Sequence, residues 1–310
     1  MQSGSGTSTS FRHGERERGL ARAAYQTFEP LHLVAYFGPP VDAAREELGI
    51  GWLGSYTGMR AAPLGPVPGA VVAATFYGFH PRAVDKAWRL ALGAHDPSAY
   101  DALRTRVVDT GLRTYLGDLV GSPELARQAE RMRAVIERAD LGGRALAASY
   151  AALPWPDEPH LALWHAATLW REWRGDAHNA ALVAHGLPPV DALLLYDAWL
   201  PAERAAQGRG RAFLQPTRKW SDEEWVAAAH RLADLGLVEP DSLPAVEAGG
   251  SPTVTERGRV LRDAVEDATD DASASVWVGV DDAEDVIAAF RPFSKAVIVA
   301  GVLPGTVRKG

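Results

Sequence analysis

Cysteine is absent from the 310 residues, so the chain has no disulfide framework, no thiolate metal site and no cysteine nucleophile. Any catalysis or metal binding falls to histidine and carboxylates, and a reducing cytoplasm is the expected location. No run of eighteen apolar residues occurs, which leaves no candidate membrane span. The first nineteen residues, MQSGSGTSTSFRHGERERG, lack the apolar centre of a signal peptide and read as a disordered tail. An excess of positive charge is missing as well. The formal net charge of −7 repels polyphosphate on average and disfavours general nucleic-acid affinity. Several chemical signatures are lacking: there is no His-Glu-x-x-His run and no G-x-S-x-G elbow, and Gly208-Arg209-Gly210 is a lone GxG with no strand before it. The expectation is therefore no metal and no cofactor.

What the chain does have is helical periodicity over most of its length, at a size that permits two domains with adequate cores. A helix from Leu20 to about Glu29 closes at Pro30, and DAAREELGIGW begins another at Asp42. The first proline of PLGPVPG marks a corner between two helical pieces. Residues 82–117 and 122–140 are amphipathic, the second starting at Ser122-Pro123-Glu124. After Gly142-Gly143 come RALAASYAAL, a proline-rich corner, a long helix ended by Pro188-Pro189, and VDALLLYDAWL. Residues 203–219 are polar and glycine-rich and read as a linker. Beyond them, Ser221 and Glu224 form a capping-box pattern, Gly236 a C-cap, and Thr255 the cap of another helix after a short glycine-rich hairpin. The terminal AVIVAGVL reads as a short strand or buried tail.

Helix, LGLVEP, hairpin, TVTERGRVL and long helix follow the order of a MarR-like winged helix. The chain as a whole resembles an actinobacterial helix-turn-helix family. The resemblance rests on RAAPLG (Arg60–Gly65), FYxFxP (Phe76–Pro81), REWRGDAH for an REHRGDGH-like segment (Arg171–His178), W-S-x-E-E-W (Trp220–Trp225) and T-E-x-G (Thr255–Gly258). It departs at Trp173, where the pattern has histidine, and at Ala177, where it has glycine. If the charged segment is a site, these departures imply a ligand different from that of its relatives. The resemblance implies DNA binding, but the candidate recognition helix opens Ser221-Asp222-Glu223-Glu224. Its nearby cations are Arg218, Lys219 and Arg231, and the candidate wing LPAVEAGGSPTV has none. That charge pattern disfavours DNA as a partner, since phosphate contacts supply most of the affinity.

The densest chemistry lies in LWHAATLWREWRGDAHNAALVAHGL, residues 163–187. At 100° per residue its side chains sort into three stripes. Leu163, Ala166, Trp170, Trp173 and Ala177 form a core face. Trp164, Thr168, Arg171, Gly175, His178 and Leu182 form a second, with Arg174 at its edge. His165, Leu169, Glu172 and Asp176 form the third. One reading is a buried ion-pair network in which Glu172 and Asp176 hold arginines such as Arg60 or Arg144. The other is a pocket floor: Arg60, Arg171 and Arg174 grip an anionic group, and Trp164, Trp170 and Tyr77 cover the ligand. His178, His165, Asp176 and Glu172 would then handle protons. Gly175, costing about 1 kcal/mol at mid-helix relative to alanine, suggests a close ligand or backbone.

The expected architecture is mainly α: a tail over 1–19, a helical pocket domain over 20–202, a linker over 203–219 and a winged-helix-like domain over 220–310. The leading functional expectation is a metal-free enzyme of specialised metabolism that acts on a small anionic organic molecule by acid/base or displacement chemistry. The alternatives are a ligand-responsive winged-helix regulator and a non-catalytic partner protein. A protein partner or homodimer stays open.

Overall fold

Proline sets many of the helix boundaries. The computed structural model describes residues 11–201, 203 and 209–306. Its helices are α1 Glu15–His32, α2 Pro39–Leu48, α3 Gly51–Ala61, α4 Gly69–Thr75 and α5 Pro81–Ala94. Next come α6 Pro97–Leu116, α7 Pro123–Ile136, α8 Ala145–Ala151, α9 Pro159–Ala184 and α10 Pro189–Trp199. The last five are α11 Arg211–Arg218, α12 Asp222–Asp234, α13 Leu243–Glu247, α14 Glu256–Ala272 and α15 Ala283–Val299. Six of the longer ones (α2, α5, α6, α7, α9 and α10) open on proline in the first turn, where the missing N–H has no helical acceptor to lose. Among the described residues the protein is mainly helical, without strands, and has a single antiparallel bridge, Val238 to Val254.

The 26-residue α9 is the spine. It is buried on nearly every side because α1, α6, α7, α8 and α14 all pack on it, which explains its weak amphipathic character. The larger core joins α1, α6, α7 and most of α9 to α15, with Phe28 against Phe290 at 4.6 Å between ring centres. A second core gathers the end of α9 (Ala181, Leu182) with α10, Leu214 of α11, Trp225 and Leu232 of α12, and Val265 of α14.

Several boundaries differ from the sequence expectation. Residues 1–10 of the expected tail lie outside the described residues. Glu15–Gly19, however, already belong to α1, and the Arg12 and His13 amides donate to the Asp271 carboxylate at 3.0 and 2.9 Å. Pro30 does not close α1 but sits in its last turn. Of the expected linker, residues 204–208 lie outside the described residues, whereas 211–218 form α11. Of the terminal run AVIVAGVL, residues 296–299 form the last turn of α15 instead of a strand, while residues 300–303 leave the helix as a turned tail with Leu303 buried. Val286, Ile287, Phe290, Phe293 and Val297 of that helix recur at three and four and bury against the first core, so tertiary burial overrides the strand preference of valine and isoleucine. The last helix thus leaves the second core and returns to the first.

Around the bridge, Glu239 N–H donates to Thr253 C=O at 2.8 Å and Thr255 N–H to Leu237 C=O at 3.1 Å. The expected hairpin carries the short helix α13 inside it. Gly258 is required here, because a Cβ would lie 2.2 Å from the Leu237 carbonyl oxygen.

Candidate functional site

Arg60 ends α3, facing α9 from the side opposite its tryptophan core. Its Nε donates to Glu172 Oε1 at 2.8 Å and its Nη2 to Oε2 at 2.7 Å, while Nη1 reaches the Tyr56 hydroxyl at 3.1 Å. Arg171 donates to the same Glu172 at 3.0 Å and to Glu29 of α1 at 3.3 Å. Burial alone would raise the Glu172 carboxyl, but Arg60 and Arg171 outweigh it and hold it below the ordinary carboxylate range. Glu172 is therefore an ionised hub tying α3, α9 and, through Arg171, α1.

Beside this hub lies a cavity of about 280 Å³. Its floor is the α9 stripe Arg171, Gly175, His178, Asn179 and Leu182, and Asp176 also borders it. Its walls are Tyr56 and Arg60 of α3, the segment 75–79, Leu193, Leu195 and Tyr196 of α10, Arg218 of α11, and Arg262 and Glu266 of α14. Gly175 meets no neighbouring backbone; a Cβ there would make ordinary contacts of 3.4 Å to Arg171 and 3.7 Å to Glu172.

The proton positions at His178 follow from the geometry. The Thr269 hydroxyl spends its hydrogen on the Val265 carbonyl at 2.7 Å, so at 3.0 Å it accepts from His178 Nδ1–H. Nε2 is left as an acceptor. Burial, opposed by Glu266 and helped by Arg174 and Arg171, lowers the imidazole below its usual range. Tyr77 donates its hydroxyl to the Leu187 carbonyl at 2.7 Å, and Asn179 donates to the Thr75 carbonyl at 3.1 Å. The second bond fastens the wall to α9 and the first to the turn that follows it.

Of the residues singled out in the sequence, Arg60, Arg171, His178, Asp176 and Tyr77 reach the cavity and Glu172 stands directly behind it. The others lie outside its lining. His165 packs on Trp155 at 4.7 Å with its Nε2 unpartnered, and burial pushes it down to about 4. Trp170 is enclosed by Phe28 and Trp173, and Trp164 points its indole to the His32 carbonyl. Arg174 turns to α14, donating to Asp270 at 2.8 Å and Glu266 at 3.2 Å. Asp176 holds no arginine; it accepts the amides of Leu146 and Ala147, both at 3.0 Å, at the start of α8. Trp173 and Ala177, the departures from the resembling pattern, also lie off the cavity. Sequence reasoning weighed Arg218 only as a cation for DNA and did not single out Arg262, Asn179 or Glu266. Only the fold brings these elements to the same stripe of α9.

Next to the cavity, α11 is followed by α12 across the short segment 219–221. Lys219 bridges them in the left-handed region (φ 65°), alone among the described non-glycine residues. The Arg218 carbonyl accepts from His80 N–H at 2.9 Å, and the Trp220 indole donates to the Gly78 carbonyl at 3.0 Å. Ser221 and Glu224 close a capping box, and Glu224 also meets His80 at 3.1 Å. Asp222 accepts from Arg211 at 2.9 Å and Gln215 at 2.8 Å. Two of the three acidic residues that open α12 thus have partners within the fold, although Asp222 stays exposed and ionised. Exposed cations without a carboxylate partner among the described residues flank the pair: Lys219 in the turn, and Arg257 and Arg259 at the start of α14. The Arg257 side chain lies against Gly236 at the end of α12.

Among the described residues no group of three or more metal-ligating side chains comes together, and no helix is long and apolar enough to cross a membrane. No curated protein and no solved structure matches the chain. A family model described as a helix-turn-helix family matches residues 21–304. This match overturns two expectations, that of a metal-free enzyme of specialised metabolism and that of a protein for which DNA is a disfavoured partner. The geometry explains the first error: Glu172 is consumed in an arginine hub, Asp176 caps α8, and His165 is remote from the cavity. Spanning nearly all of the described residues, the match shows that the chain belongs to the helix-turn-helix family.

Proposed function

We propose that the protein is a DNA-binding transcriptional regulator whose affinity for DNA responds to a small ligand held in the cavity. The observation that carries this reading is the placement of the α11–α12 pair directly against the cavity wall, with Arg218 contributing to both. Family membership supplies the DNA-binding half. The bridge at Val238 and Val254 followed by α14 supports a winged-helix arrangement, in which α12 enters the major groove and the 239–253 segment is the wing. Because α12 opens on carboxylates, phosphate contacts fall to Lys219, Arg257 and Arg259 rather than to its first turn.

Selection of binding sites from random duplexes, followed by fluorescence anisotropy, tests the reading. The expected result is an enriched motif, with tight binding that falls as salt rises. Replacing Lys219, Arg257 and Arg259 together by glutamine should flatten the log–log salt slope by up to about 3, close to one unit per lost phosphate contact. Failure to enrich any sequence, with the wild type and the triple variant behaving alike, would remove DNA from the function.

A further inference from the structure

The arginines around the cavity are not equally neutralised. Arg60 is matched by Glu172, and Arg171 by Glu172 and Glu29. Arg262 stacks on Trp199 at 3.4 Å, with Asp263 at 3.5 Å and Glu266 at 3.8 Å. Arg218 has no carboxylate among the described residues. Its guanidinium lies over the Phe79 ring at 4.4 Å and touches only the neighbouring Thr217 hydroxyl, at 3.2 Å. Burial, helped by the charges of Arg60 and Arg171 and opposed by Tyr56, pulls its pKa down. A partly buried guanidinium near Arg60 and Arg171, with no anion of its own, concentrates positive potential beside the aromatic part of the lining formed by Tyr56, Phe76 and Phe79, while the lining carboxylates Asp176 and Glu266 are engaged elsewhere, Asp176 by the α8 amides and Glu266 by Arg174.

We propose that Arg218 is the recognition residue for a small organic monocarboxylate, gripped by its guanidinium, whose apolar body lies between Phe76, Phe79 and Leu193. A planar fork matches a carboxylate in two parallel hydrogen bonds. The size of the cavity, just below the ~300–1,000 Å³ of ordinary ligand sites, suits a compact molecule. His178 Nε2 offers an acceptor for a hydroxyl or amide on that body. Arg218 is also the last residue of α11, and its carbonyl is held by His80. A carboxylate on its side chain therefore pulls at the turn between the two helices. That coupling rests on the regulator reading above, whereas the binding itself does not.

The test uses the full chain with benzoate and phenylacetate as probes and their amides as neutral matches, read by calorimetry and by thermal melting. Carboxylates should bind at least tenfold more tightly than the amides and raise the melting temperature. Arg218→Met should abolish that difference and raise the melting temperature of the ligand-free protein, because it removes an uncompensated buried charge. Three outcomes would overturn the proposal: equal response to acids and amides, no binding of either acid at 10 mM, or an Arg218→Met protein that binds the acids as the wild type does. A ligand-free Arg218→Met protein that melts lower than the wild type would also count against it, showing a structural arginine. Adding the probe to a DNA complex separates the two readings. Carboxylate binding that leaves DNA affinity unchanged removes only the coupling to DNA.

Discussion

Arg60 and Glu172, 112 residues apart in sequence, meet through two hydrogen bonds of 2.8 and 2.7 Å in a site where Glu172 is 1 % exposed. Taking one partner away leaves the other charged and out of water. Glu172→Gln should therefore cost about 3–5 kcal/mol by urea unfolding, as for other broken buried pairs. Arg60→Met combined with Glu172→Leu should cost clearly less than the two single changes added together. Strict additivity would show that the two side chains are not energetically coupled.

Asp176 supplies a pH signature. Burial, opposed by the Ala147 amide, pushes its carboxyl up to about 6, so the folded chain holds this proton more tightly than the unfolded one. Its contribution to stability is greatest in acid and declines as pH rises through about 6. Asp176→Asn keeps an oxygen for the Leu146 and Ala147 amides without the charge. The wild type should lose about 1 kcal/mol relative to that variant between pH 5 and pH 8. A difference that stays constant across this interval would mean that Asp176 titrates as an ordinary aspartate.

His165 works in the opposite direction. Burial depresses it to about 4, so its contribution is complete above the usual histidine range near 6.5 and is lost as pH falls through 6.5 toward 4, a total of about 3 kcal/mol. Its Nε2 has no hydrogen bond to lose. His165→Phe, stacking on Trp155, should fold normally and unfold in acid at a distinctly lower pH than the wild type. The check is the urea midpoint of both proteins at pH 7 and pH 4.5.

Gly258 is a steric prediction. A methyl group would meet the Leu237 carbonyl oxygen at 2.2 Å and Val254 Cγ2 at 2.8 Å, and both belong to the segments flanking the Val238–Val254 bridge. Gly258→Ala should destabilise by about 1–3 kcal/mol or more, the range for overpacking against backbone. Hydrogen exchange should show the damage at the Glu239 and Thr255 amides first. Exchange there unchanged from the wild type would place the strain elsewhere.

The local signals were legible where they depend on neighbours in sequence. The capping box at Ser221 and Glu224, the Thr255 cap and the proline-led start of α7 all follow from side chains within four residues of the backbone they serve. The three-stripe sorting of α9 also followed from helical geometry. Partners at long range were not legible: nothing near Asp176 says that it holds the amides of α8, and nothing near Arg218 says that Phe79 lies under it. The acidic opening of α12 misled for the same reason. Asp222 looks free in sequence and is taken by Arg211 only after α11 folds back.

The pairing of α1 with α15 bears on how the chain comes to be folded. Phe28 packs on Trp170 of α9 and on Phe290 of α15, and the Thr27 carbonyl accepts from the Ser294 hydroxyl 267 residues away, so α1 takes one part of its cover from mid-chain and the other from a helix far later in the sequence. Until α15 is made, the part of the α1 stripe that it covers is open to other nascent chains and to chaperones. The second core, assembled from residues 181–268, has no such wait for α15. The second core can therefore close without α15, whereas sealing the larger one also closes a loop of more than two hundred residues between Phe28 and Phe290.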